Sequence, residues 1–198
     1  GDGSSLFWGG GQPEDFENHP DFMAMQAAMD EFSPFEEAEA WKKEGNDKLR
    51  IARKAAYAHM KLRYYREAVE MYTRAIRNGL KDPENTPNTF LAICFNNRAQ
   101  ANILLTNFRS ALDDAEESIR LDGSSLKAYF RAVKSALELR DVDKAEELGH
   151  RGQALAKGDK EYADLVRSVA KLRQDLEGQK QRELEASGEA LGTVVQFA

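Results

Sequence analysis

From Asp21 onward, apolar residues recur at intervals of three and four, starting with Phe22, Met25, Met29 and Phe32, which sets them on one face of a helix. Alternation of the strand type never persists for more than a few residues. Asp21, directly after Pro20, is placed to cap a short helix within 21–34. Ser33-Pro34 ends that helix. Ser33, with Pro34 in the next turn and Glu36 three residues on, reads as the capping-box start of another helix. Residues 1–20 differ: five glycines fall in the first 11 residues, followed by Pro13, Asn18 and Pro20, and this predicts a flexible arm.

Beyond residue 34 the helical segments repeat. Asn97-Arg98-Ala99 aligns with Arg131-Ala132-Val133, and Ala111 with Ala145, each pair 34 residues apart. That is the period of a helix-turn-helix repeat. An aromatic opens the first helix of each unit (Trp41, Phe95, Tyr129), and Gly45, Ala99 or Val133 lies four residues later. The second helices carry mostly small residues at offsets of four and three: Ala68, Tyr72, Ala75; Ala111, Ala115, Ser118; Ala145, Gly149, Gly152. Small residues let neighbouring helices approach, so stacked units bury a continuous core. Three repeats are predicted over 35–156. Tyr162, Leu165, Val166, Val169, Leu172 and Leu176 then form one stripe, which predicts a helix over 157–187 that covers the end of the stack and projects into solvent past Gly178, before a tail at 188–198. The expected fold is all-α: a superhelix of three helix-turn-helix repeats with a C-terminal capping helix.

The first repeat is too long. Asn46 to Ala68 spans 22 residues, whereas Gln100 to Ala111 and Lys134 to Ala145 each span 11. Two arrangements absorb the surplus. The preferred one is a protruding hairpin whose helices are each longer by about one and a half turns. The other is one continuous helix that exchanges its second half with another molecule, giving a domain-swapped dimer. It is kept because Leu49 to Arg77 contains no Gly, Pro, Asn, Asp or Ser to mark a turn.

Composition narrows the classes. The longest apolar run, Phe90 to Phe95, has six residues, far short of the roughly 20 of a spanning helix, so no membrane partner is expected. The single cysteine, Cys94, lies among apolar residues and reads as a small buried hydrophobe. The start lacks an initiator Met and reads as that of a fragment. Net charge is −6, unevenly spread: residues 1–40 hold ten acids and no Lys or Arg, leaving +4 on the rest. His19, His59 and His150 are isolated, and no metal-ligand spacing or phosphate-binding glycine loop is present. No enzymatic role, metal or cofactor is expected.

The informative residues lie on the first helices of the repeats, which line the concave face of such a solenoid. Lys42 and Asn46 are i and i+4 on one helix, and Lys127 and Arg131 are i and i+4 on another. Asn97 stands one repeat before Arg131, between the pairs. Three cations and two amides, with no carboxylate among them, offer donors for a ligand that carries two carboxylates.

These landmarks resemble the tetratricopeptide repeat family over residues 35–156, with two departures. Glu44 and Lys48 stand where that pattern has Leu and Tyr in the first repeat, and the Pro late in each repeat is absent. The five groove residues resemble, position for position, the two-carboxylate clamp of co-chaperone domains. The resemblance implies that Lys42, Asn46 and Asn97 hold a free C-terminal carboxylate, and that Lys127 and Arg131 hold the last Asp side chain and nearby backbone. His-Pro-Asp-Phe, Met25-Gln26, Ser33-Pro34-Phe35-Glu36-Glu37, Lys43-Glu44-Gly45-Asn46-Asp47 and Asn107-Phe108-Arg109-Ser110-Ala111-Leu112 are similar to the tetratricopeptide repeat protein 4 family of heat-shock protein 90 co-chaperones, over about residues 17–185. This implies an adaptor that binds the Glu-Glu-Val-Asp tail of heat-shock protein 90, and also that of heat-shock protein 70, in the cytoplasm and also the nucleus. It further implies a C-terminal domain too large for the residues left here. The lengthened first repeat departs from the family and bears on where Lys42 and Asn46 sit relative to the other three.

Two other readings stay open. The acidic arm, residues 14–39, could fold over the groove and compete with the tail. Residues 41–81, with 12 Lys and Arg against four acids, could contact RNA or ribosomes, although basic helices are usually only solvated and nucleic acid is the less favoured partner.

Overall fold

The computed structural model describes the backbone of residues 32–195 and the side chains of residues 32–187. The arm and the helix expected before Phe32 lie outside the described residues. Among those described, seven helices and no strand occur: α1 Pro34–Lys54, α2 Ala58–Lys81, α3 Asn88–Leu104, α4 Phe108–Leu121, α5 Leu126–Glu138, α6 Val142–Gln153 and α7 Lys160–Val195.

Helix α1 starts at the capping box. The Glu36 N–H donates to Ser33 Oγ at 3.2 Å, the Ser33 N–H donates to Glu36 Oε2 at 2.8 Å, and Pro34 needs no acceptor in the first turn. Helix α1 stops because Ala55 is extended (ψ 133°), and Tyr57, also extended, precedes α2. The chain therefore closes its own first hairpin, with helices of 21 and 24 residues, and the continuous helix is not the arrangement found. Gly45 is where the two helices approach, since a Cβ there would lie 2.8 Å from Tyr72 Cε1.

The second and third hairpins turn by another device. Thr106 (φ 61°) and Arg140 (φ 58°), 34 residues apart, adopt the left-handed conformation. Behind each, an N–H reaches back five residues: Asn107 to the Asn102 carbonyl and Asp141 to the Ala136 carbonyl, both at 2.9 Å. This is a Schellman closure with Thr and Arg where glycine is usual.

The small residues of the second helices are buried at the helix contacts. One core runs from Ala99 and Leu112 through Tyr129 and Val133 to Tyr162 and Val169, so the third repeat and α7 share it. Tyr162 seats α7: it is 1% exposed, and its hydroxyl lies 3.3 and 3.2 Å from the carbonyls of Leu148 and Gly149. Gly152 leaves room for it, as a Cβ there would fall 2.0 Å from Tyr162 Oη. Arg173 on α7 is paired with Asp143 and Glu146 of α6. Helix α7 continues past residue 187, to Val195, where a tail is expected from the sequence. Residues 179–187 are nearly all exposed, Leu184 among them. Cys94 is buried, which pushes its thiol up to about 12. Among the described residues, no helix is long and apolar enough to cross a membrane.

Candidate peptide-binding groove

The first helix of each hairpin carries the expected residues: Lys42 and Asn46 on α1, Asn97 on α3, Lys127 and Arg131 on α5. Asn46 and Asn97 meet. Asn97 Nδ2 donates to Asn46 Oδ1 at 3.2 Å, and the Tyr72 hydroxyl donates to the same oxygen at 2.7 Å. With its oxygen so occupied, Asn46 presents Nδ2 as a free donor. Tyr72 is fully buried on α2, so this amide rests on the core. Lys42, one turn earlier on α1, lies with Nζ 4.4 Å from the centroid of the Phe90 ring.

Arg131 is half-buried and held by neutral groups. Its Nε donates to Gln100 Oε1 at 3.1 Å and an Nη donates to Asn96 Oδ1. Burial pulls its proton affinity down to about 10, so the guanidinium stays charged at neutral pH. Among the described residues Arg131 has no carboxylate within ion-pair distance, and neither do Lys42 or Lys127. Arg98, one helix away, shows the contrast: it is paired with Asp114 at 2.6 Å and also donates to Thr73 Oγ1.

Lys127 and Arg131 open into a cleft of about 400 Å³ with Gln100, Leu126, Phe130 and Tyr162. Asp159 and Glu161, at the start of α7, also line it. The five expected residues include no carboxylate, but the cleft wall does. Asp159 is partly engaged as a cap, accepting from the Tyr162 N–H at 2.9 Å. The sequence reading missed these two acids, and it missed Tyr72, Asn96 and Gln100, the residues that hold Asn46 and Arg131. Asn96 and Gln100 are i and i+4 on α3, and that spacing was the available signal.

Glu44 and Lys48, the departures from the repeat pattern, form a polar seam in the first hairpin. Lys48 Nζ lies 3.0 Å from Glu67 of α2 and 3.8 Å from Glu44.

Stacked helix hairpins with small residues at their contacts and a concave row of donors define a tetratricopeptide repeat domain. No protein-family model matches the chain. The chain is 30% identical to the Hsp70/Hsp90 co-chaperone cns1 of Schizosaccharomyces pombe over 68% of its own length and 33% of that protein. It is also 30% identical to tetratricopeptide repeat protein 4 of Bos taurus, over 78% of its length and 36% of that protein. Over its repeat domain the chain is similar to proteins of the tetratricopeptide repeat protein 4 family, and it spans about a third of the length of these relatives. Among solved structures it is similar to the second TPR domain of human RPAP3 in complex with the HSP70 peptide SGPTIEEVD, with TM-score 0.55, 25% identity, and coverage of 69% of this chain and 98% of that one.

Proposed function

We propose that the groove captures the acidic C-terminal tail of heat-shock protein 90, and that of heat-shock protein 70, through the two-carboxylate clamp described above, so that the chain is a non-enzymatic adaptor. The observation that carries the reading is Arg131: a half-buried cation held, among the described residues, only by amide oxygens, beside Lys127, in an open cleft. A cation so placed gains most from an incoming carboxylate, because charge-assisted bonds are stronger where water is partly excluded. In this reading Lys42, Asn46 Nδ2 and Asn97 receive the terminal carboxylate, and Lys127 and Arg131 receive the last Asp side chain and backbone. The cns1 relative is named as a co-chaperone of both chaperones, and the RPAP3 domain holds a peptide ending in Glu-Glu-Val-Asp.

The test is calorimetric titration with Met-Glu-Glu-Val-Asp beside the same peptide amidated at its C-terminus. Binding of the free acid alone is expected. Arg131→Ala is expected to weaken it at least about tenfold, the loss of one charged hydrogen bond or more. Equal binding by Arg131→Ala and the parent would sink the clamp reading.

A further inference from the structure

The 11-residue surplus of the first repeat lengthens α1 beyond the positions assigned to the clamp. Arg53 lies on that added length. At 100° per residue, Lys42, Asn46 and Arg53 fall within about 40° of one another around α1, so Arg53 continues the same stripe. It is exposed, and among the described residues it has no ion-pair partner, whereas Arg50 is paired with Asp47 at 2.8 Å and Arg63 with Glu67 at 2.8 Å. Its charge also reaches the groove: burial lowers the proton affinity of Arg131 and raises that of Tyr72, and the Arg53 charge adds to the first effect and opposes the second.

The charge gradient along α1 orients an acidic tail anchored at Lys42 and Asn46. Toward the helix start the acid nearest that stripe is Glu39, which repels the tail; toward the helix end it meets Arg53. Seven residues of helix carry Arg53 about 10 Å beyond Asn46, and an extended peptide covers that in about three residues. In a tail ending Glu-Glu-Val-Asp, the residue three before the final Asp is the first Glu. We propose that Arg53 is a third anion site of the groove, which pairs with that upstream Glu and makes affinity depend on tail acidity beyond the last residue. This rests on the clamp reading.

The experiment is a double-mutant cycle on the full chain, titrating SGPTIEEVD and SGPTIQEVD into the parent, Arg53→Gln and Arg53→Lys. Arg53→Gln should weaken the first peptide about fivefold, as for an exposed ion pair, leave the second unchanged, and be largely rescued by Arg53→Lys. Equal loss for both peptides, or no loss for either, overturns the proposal. Arg131→Ala in the same series separates the two failures. If the parent binds and Arg131→Ala does not, an uncoupled Arg53 removes only the third site. If the parent fails to bind, or Arg131→Ala binds equally well, the clamp falls and the third site with it.

Discussion

The first hairpin and the two that follow are all paired helices, yet different forces hold them. In the second and third, left-handed Thr106 and Arg140 set a tight turn, and the helices are short enough to be covered along their length by neighbours. The polar pair of the second, Arg98 with Asp114, is largely buried and shared with Asn102 and Thr73. In the first, the added length has little to pack against. Ile51, Tyr57, Met60 and Leu62 stay exposed, and beside a small core of Leu49, Ala68 and Tyr72 the ion pair of Lys48 with Glu67 joins the helices, Glu67 being held along α2 by Arg63. A repeat extended past its neighbours therefore has a polar seam and a cationic stripe available for ligands, while the regular repeats gain rigidity from burial.

The sharpest test of this contrast is Arg98→Ala. It would leave Asp114, 5% exposed, without its cation, and is expected to cost about 3–5 kcal/mol in urea unfolding. Burial already holds the Asp114 carboxyl above its ordinary value, with the Arg98 hydrogen bond opposing. A carboxyl raised in the folded state favours folding at low pH and loses that contribution as pH rises through the folded value. The variant's deficit should thus be largest at pH 7 and shrink toward about pH 4. An unchanged deficit would mean that Arg98 acts by packing alone.

Next in size is Gly152→Ala. Its Cβ would meet Tyr162 Oη and, at 2.8 Å, Tyr129 Cβ, so α7 must shift; about 2 kcal/mol is expected, with amides around Tyr162 exchanging faster. Stability equal to the parent would show that α7 can slide, and would remove the claim that the third repeat is rigidly capped.

Glu67→Gln probes the first hairpin and should cost at most about 1 kcal/mol. Hydrogen bonds from Lys48 and Arg63 hold the Glu67 carboxyl below its ordinary 4.5. Its contribution is complete above that value and is lost as pH falls through the lowered one. The difference in Tm between parent and variant should therefore vanish at low pH. Smaller still, Thr106→Gly and Arg140→Gly each relieve a left-handed residue and are expected to raise stability by about 0.5–1 kcal/mol. The first hairpin has no equivalent position among the described residues.

The 34-residue spacing and the run of apolar and small residues were enough to read the helices, their pairing into repeats and the capping helix, because burial at helical period is written locally. The capping box at Ser33 was legible for the same reason: donor and acceptor are three residues apart. Placing Lys42, Asn46, Asn97, Lys127 and Arg131 on first helices needed only that period. Their contacts needed the fold. Tyr72 is 26 residues from Asn46, Gln100 is 31 from Arg131, and Asp159 enters the cleft from the start of α7, so none has a signature near its partner. The turn at Ala55–Tyr57 has no Gly, Pro or Asn, and local preference alone allowed one long helix. Packing of Tyr72 against Gly45 and of Glu67 against Lys48 favours the closed hairpin, energies that exist only once α2 lies beside α1.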